Sequence, residues 1–134
     1  IQDSPYAQTQ CPDLILSEHS TWKRIYLHRM KHSEICIAST GLHQSAGWKI
    51  AEYLAAGRAI VSEPLCYEVP GPFQAGENYL TYTSADGCIE QIRTLLAHPE
   101  QILQMGQKNR AYYDAWLRPD QIVAKALEQA KISL

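Results

Sequence analysis

The chain has 134 residues, of which 46% are hydrophobic and 19% charged, with 12 basic and 14 acidic side chains. This length and composition predict one globular domain with a real hydrophobic core, and they exclude a disordered chain or two full domains. The net charge of −2 argues against a general nucleic-acid binder, which needs a basic surplus. No apolar run approaches the roughly 20 residues that span a bilayer, so we expect no transmembrane segment.

The N-terminal part of the chain carries little pattern. Because the chain opens with Ile1 rather than Met, we expect an excised piece, with residues 1–20 a tail or linker from a missing upstream half. A short apolar run at residues 14–16 is interpreted as a strand remnant. From Thr21, apolar residues at spacings of three and four predict an amphipathic helix to about His32. Residues 21–134 are the predicted domain.

Short apolar strands then alternate with helices. The predicted elements are a strand at 35–39, a helix at 46–56 ended by Gly57, a strand at 59–61, an irregular loop at 64–78, a strand at 79–82, and helices begun by Ser84, Pro99 and Pro119. This order predicts an α/β fold whose parallel sheet of three to five strands is covered by helices on both faces. Open sheets of this kind bind ligands beyond the carboxyl ends of their strands, which directs attention to residues 39–47 and 62–78.

Metal and disulfide chemistry find little support in the sequence. No two cysteines form a C-x-x-C pair, and we expect reduced thiols in a cytosolic protein for all four: Cys11, Cys36, Cys66 and Cys88. His28 and His32 are four residues apart on one predicted helix, but they lack a third ligand. We interpret them as part of a solvated helix face, and we predict no metal site.

The segment at residues 39–57 carries the most chemical information. It runs from a strand through a glycine-containing loop into a helix, where backbone N–H groups and the helix dipole favour an anion. Lys49 lies near the start of that helix and suits a phosphate. Glu52, about one turn further on, can accept hydrogen bonds from the two hydroxyls of a ribose. The alternative is an ordinary strand–loop–helix in which both side chains are solvated.

Three further features have two interpretations each. His43 lies in the same loop and contacts a phosphate or sugar, or else is an ordinary loop histidine. Glu63 follows a strand and is placed for contact with a base or ring, or else is a plain loop charge. The aromatic stripe that includes Tyr112 and Trp116 is interpreted as packing rather than as a cofactor site.

Several segments together resemble a known family. Residues 48–61 read WKIAEYLAAGRAIV, residues 73–79 read FQAGENY, and residues 95–100 read LLAHPE, followed by Met105. As a set, these runs resemble the C-terminal half of GT-B glycosyltransferases of the group 1 type, over about residues 33 to 130. The resemblance implies a Rossmann-like domain that binds a nucleotide-sugar donor.

The resemblance also assigns roles to individual residues. Retaining members carry two glutamates eight positions apart, of which the second binds the ribose and the first contacts the donor sugar. Glu52 matches the second position, and Gln44 stands at the first. Gln44 can bond a sugar hydroxyl, but its neutral amide cannot stabilise a developing positive charge. The implied nucleotide-sugar site comprises Gly41, Leu42, His43, Gln44, Gly47, Lys49 and Glu52, with loop amides on both sides of His43 donating to the diphosphate.

The sequence therefore predicts the donor-binding half of a glycosyltransferase, acting on a hydroxyl acceptor, with retention of configuration as the expected outcome. The alternative is a non-catalytic nucleotide- or sugar-recognition module with a decayed active site. We expect no cofactor beyond the nucleotide-sugar substrate, no nucleic-acid partner, and an acceptor glycan, lipid or protein bound through the missing N-terminal half. Catalytic residues are not assigned. The expected location is cytoplasmic, with peripheral membrane association through the full-length protein as an option.

Overall fold

The computed structural model describes residues 4–132. The chain forms two compact units, of which the first ends at His32 and the second begins at Ser33. Within residues 4–132, no helix combines the length and the apolar character needed to cross a membrane.

The first unit is helical where the sequence suggested an irregular tail. It contains α1 (Pro5–Gln10), α2 (Glu18–Thr21) and α3 (Lys23–His32), the last confirming the helix predicted to reach His32. Ser4 begins α1, because its side chain accepts a hydrogen bond from the backbone N–H of Ala7 at 3.1 Å. The strand expected at residues 14–16 is wrong: Leu14 ends a short 3-10 turn. These elements are too short for a hydrophobic pattern to reveal them.

The second unit is an α/β fold with a three-stranded parallel sheet. Its strand order is β1-β2-β3, with β1 at Ile35–Ala38, β2 at Ala59–Ser62 and β3 at Leu80–Thr81. Its helices are α4 (Trp48–Ala55), α5 (Ala85–Ala97), α6 (Pro99–Tyr112) and α7 (Pro119–Ile132), with a π-helical turn at Tyr113–Leu117. The predicted fold class is confirmed, at the lower end of the expected strand number.

Helices pack against both faces of the sheet. On one face Ala59 and Val61 pack with Leu95 of α5 and Met105 of α6 in a buried cluster. Side chains alternate along a strand, so Ile60 and its partner on β1 point the other way. That second face is also buried, and α4 packs against β1 and β2. The crossover helix therefore holds its N-terminus at the carboxyl end of β1.

Turn and cap residues read from the sequence behave as expected. Gly57 follows α4 with a φ of 62°, in the left-handed region that favours glycine. Ser84 caps α5 by accepting a hydrogen bond from the N–H of Gly87 at 3.1 Å. Tyr112 is buried and donates to the carbonyl of Pro70, so this member of the aromatic stripe packs the core and fixes the loop before β3.

Candidate functional site

The N-terminus of α4 lies open at the carboxyl end of the sheet. Gly47 precedes the helix in an extended conformation, and no side chain among the described residues caps the helix at that position. The first turn of α4 contains no acidic residue. Because the first amides of a helix have no intrahelical acceptor, this end presents N–H groups and a partial positive charge. The arrangement suits a bound anion.

Two charged side chains flank that helix end. Lys49 is exposed in the first turn of α4, and it forms no ion pair with any residue that the structure describes. Glu52 is half-buried three residues further along. Residues at this spacing are neighbours on a helix surface. A cation and a carboxylate are therefore presented side by side, one nearer the helix end than the other.

The loop before α4 makes a tight turn on itself. The N–H of Gly41 donates to the carbonyl of Ser45 at 2.8 Å, and the N–H of Gln44 donates to the carbonyl of Gly41 at 3.0 Å. The N–H of Ser45 donates to the carbonyl of Leu42 at 3.3 Å. These three amides are engaged inside the loop. The loop therefore offers fewer amides to a ligand than the sequence suggested.

His43 and Gln44 have an unusual backbone conformation. Their φ angles are 56° and 59°, in the left-handed region that residues other than glycine seldom occupy. Each such residue costs on the order of 1 kcal/mol or more, and such conformations concentrate at functional sites. The carbonyl of His43 accepts a hydrogen bond from the Tyr67 hydroxyl at 3.1 Å, which helps to hold the turn.

A second set of contacts joins the carboxyl ends of the three strands. Thr40 donates two hydrogen bonds to Oε2 of Glu63, one from its backbone N and one from Oγ1, each 2.7 Å long. These bonds lower the pKa of Glu63 below its ordinary value. The hydroxyl of Tyr82 donates to the carbonyl of Ala38 at 3.0 Å. Burial, followed by the negative charge of Glu63, raises the pKa of Tyr82.

The sequence did not reveal the contact between Thr40 and Glu63, which are separated by 23 positions. The sequence indicates this contact only indirectly, because each of the two residues follows a strand of one parallel sheet. The structure gives Glu63 a role that differs from both interpretations of it above, since its carboxylate binds the loop that follows β1.

Large apolar side chains lie exposed beside the loop. Leu42 is 81% exposed and Trp48 is 86% exposed. Next to Trp48, a cavity of about 180 Å³ opens between the start of α4 and the proline-rich loop, lined by apolar side chains that include Val69 and Phe73. This cavity offers few hydrogen-bonding groups, so it suits an apolar portion of a ligand.

The site residues implied by the sequence lie together on one connected stretch. The exposed members are Gly41, Leu42, His43, Gln44 and Lys49, and the half-buried ones are Gly47 and Glu52. All belong to the loop after β1 or to the first five residues of α4, so the fold brings their backbones to one edge of the sheet.

Two further features that the sequence singled out, Cys36 and the pair His28 and His32, lie outside this stretch. Burial raises the pKa of the Cys36 thiol to about 11, so this cysteine stays protonated and unreactive. The rings of His28 and His32 lie 4.2 Å apart by their centroids. Across the described part of the chain, no group of three His, Cys, Asp or Glu side chains is arranged to hold a metal ion.

The comparisons with known proteins indicate a family for this chain. A protein-family model described as glycosyl transferase-like matches residues 13–132. No curated protein matches the chain, and no solved structure does. The matched range includes the whole sheet and every residue of the candidate site.

Proposed function

Because the chain belongs to the glycosyl transferase-like family, and so has a role in glycosyl transfer, we propose that the start of α4 binds the diphosphate of a nucleotide-sugar donor. The observation that carries this proposal is the uncapped N-terminus of α4 with Lys49 in its first turn. Backbone N–H groups and the helix dipole favour an anion there, and a lysine adds a point charge for phosphate.

Glu52 and Gln44 are the side chains proposed to contact the ribose and the sugar of the donor. Glu52 lies one turn from the helix start, at a distance that suits a ribose whose phosphates sit on the first-turn amides. Its carboxylate then accepts hydrogen bonds from the two ribose hydroxyls. Gln44, in the turn before the helix, bonds a hydroxyl of the donor sugar. This placement agrees with the roles that the GT-B resemblance gives to these two positions.

The chemistry proposed for the site is departure of the diphosphate. As the bond between the anomeric carbon and the diphosphate oxygen breaks, negative charge grows on the leaving oxygen. The oxygen of the acceptor hydroxyl bonds to that carbon, and its proton passes to the departing diphosphate. The first-turn amides and Lys49 lower the barrier by stabilising that charge. We propose retention of configuration, as in the members of the family with two acidic residues, and an acceptor held by a facing half of the protein.

Calorimetry with uridine, guanosine and adenosine diphosphates tests donor binding. Glu52→Ala is expected to weaken the best of them by about 1–3 kcal/mol, the range for a lost hydrogen bond to a charged group. Lys49→Ala should also weaken binding, and Lys49→Arg should restore most of it, because the positive charge is retained. Raising the salt concentration should reduce the effect of Lys49, since exposed charges are screened.

Glu90→Ala is the matched control, since Glu90 is an exposed helical glutamate on α5, away from the start of α4. It should bind as the unmodified chain does. If a folded sample gives no heat with any of the three diphosphates, the donor proposal is wrong. Equal losses for Glu90→Ala and Glu52→Ala would also contradict the assigned ribose contact.

A recognition module without turnover is the second candidate, and Gln44 favours it. A neutral amide stands where the resembling enzymes carry a glutamate, so the site lacks a charge to stabilise a cationic sugar. Binding of a nucleotide sugar as tight as that of the matching diphosphate, with no sugar released in the complete protein, would favour this candidate. Measurable transfer by the complete protein would favour the enzyme.

A further inference from the structure

The loop that carries Gln44 is anchored at its start by a single carboxylate. Both donors of Thr40, its backbone N–H and its hydroxyl, converge on one oxygen of Glu63 at 2.7 Å. Thr40 directly precedes the turn at residues 41–45, in which His43 and Gln44 have positive φ angles. Such a turn is unfavourable in isolation and persists when surrounding contacts impose it. The Thr40–Glu63 pair is one of those contacts, and the bond from Tyr67 to the His43 carbonyl is another.

We propose that Glu63 is a positioning residue for the donor: through Thr40 it holds the loop at residues 41–47 in the conformation that presents Gln44 and the start of α4 to the ligand. This inference rests on the proposed function for its ligand. In this proposal Glu63, which follows β2, holds a loop that begins at the end of β1.

The geometry favours positioning over direct contact with the donor. The oxygen of Glu63 that faces the loop already accepts two short hydrogen bonds, which fill its accepting capacity on that side. The same bonds lower the pKa of Glu63, so the carboxylate stays charged over the neutral range and the anchor persists there. Tyr82, whose hydroxyl is bonded to Ala38, is the neighbouring titratable group, and its raised pKa leaves it neutral in that range.

The first test needs no ligand. The backbone amide of Thr40 is followed by nuclear magnetic resonance from pH 7 to pH 3, and its shift should titrate with a midpoint below 4.5, the ordinary value for a glutamate. Glu63→Gln should abolish that titration while preserving size and shape. In Glu63→Ala, amide exchange across residues 41–47 should accelerate by about tenfold, as expected when a charged hydrogen bond is lost.

The second test is a double-mutant cycle on diphosphate affinity. Glu63→Ala should weaken binding about tenfold, and Thr40→Val should weaken it by a smaller factor because only the hydroxyl is removed. Since both changes break one contact, the double variant should bind no more weakly than Glu63→Ala alone. Thr40→Ser keeps the hydroxyl and should restore near-normal affinity. Glu68→Ala, an exposed carboxylate in the loop that follows β2, is the matched control and should change nothing.

The two tests separate this inference from the proposed function. If the unmodified chain binds no diphosphate, the proposed function fails. The titration and exchange data still test the contact between Thr40 and Glu63. If Glu63→Ala weakens binding and Thr40→Val does not, Glu63 contacts the ligand directly and the positioning role is wrong. The same conclusion follows if the losses of the two single variants add in the double variant. A Thr40 amide that does not titrate, or loop exchange unchanged in Glu63→Ala, likewise overturns the inference.

Discussion

Asn109 on α6 shows how one buried polar side chain joins three parts of the second unit. It is fully buried, and its amide nitrogen donates to the carbonyls of Arg58 at 2.7 Å and Asn78 at 2.9 Å. Its amide oxygen accepts a hydrogen bond from the side chain of Asn78 at 3.1 Å. Every polar atom of this amide is therefore used, which is the condition under which a buried polar group stabilises a core.

Asn109→Ala should lower the free energy of unfolding by about 2 kcal/mol or more. The change removes a hydrogen-bond partner from the carbonyls of Arg58 and Asn78 and from the side-chain nitrogen of Asn78. Each buried group left unsatisfied costs about 1–3 kcal/mol. Urea unfolding followed by circular dichroism measures the loss. Gln107→Ala is the control, since Gln107 lies on the same helix and is exposed, and it should leave the midpoint nearly unchanged. Equal midpoints for both variants would contradict the role given to Asn109.

At the scale of elements, the contact between the end of α4 and the middle of α6 depends on two glycines. A Cβ added to Gly106 would lie 2.5 Å from the carbonyl oxygen of Gly57, and Cβ atoms in proteins essentially never come that close to another heavy atom. Arg110 of α6 reinforces the contact by donating to the carbonyl of Ala55 at 2.7 Å. Backbone therefore packs directly on backbone here, and α6 in turn supports the helix that carries Lys49 and Glu52.

Gly106→Ala should destabilise the fold by about 1–3 kcal/mol, the usual cost of overpacking. The direction of the change in stability is informative, because in an exposed helix interior a glycine-to-alanine change stabilises the protein by up to about 1 kcal/mol. Thermal unfolding of Gly106→Ala beside Gln104→Ala, an exposed change on the same helix, tests the prediction. A higher melting temperature for Gly106→Ala would show that the two backbones are not in contact.

The pattern of elements was predictable in the second unit and poorly predictable in the first. β1 and β2 are short apolar runs, and α5 and α6 begin at a capping serine and a proline, all of which are local signals. Where it is described, the first unit contains helical segments of three to six residues before α3, and of these only α1 has a capping side chain, Ser4. An apolar run as short as residues 14–16 carries no period that separates strand from turn.

The candidate site was predictable in position but not in geometry. Its place after β1 follows from the parallel sheet, because ligands bind at the carboxyl ends of strands. The positive φ angles of His43 and Gln44 have no sequence signal, since neither is a glycine. The anchor from Thr40 to Glu63 joins positions that become neighbours only when β1 and β2 pair.

At the scale of the molecule, the candidate site is an exposed surface. Its loop residues are exposed, and Leu42 and Trp48 present apolar surface to the outside. Exposed apolar groups of this size beside a polar site are typical of a surface that meets another body. A donor bound as proposed would be held from one side only, which agrees with the GT-B arrangement implied by the sequence resemblance.

We therefore predict that this chain alone binds a nucleoside diphosphate but transfers no sugar. Without a facing wall the acceptor is not positioned, so much of the roughly 7–11 kcal/mol available from proximity is lost. Water also remains at the start of α4, which weakens stabilisation of the departing diphosphate. The measurement is nucleotide release from several sugar donors in the presence of simple hydroxyl acceptors, with Glu52→Ala as the background. The same assay on a chain extended upstream, where the source encodes one, supplies the positive comparison. Steady transfer by the 134-residue chain, abolished in Glu52→Ala, would show that one wall suffices and that the groups acting on the acceptor lie within it.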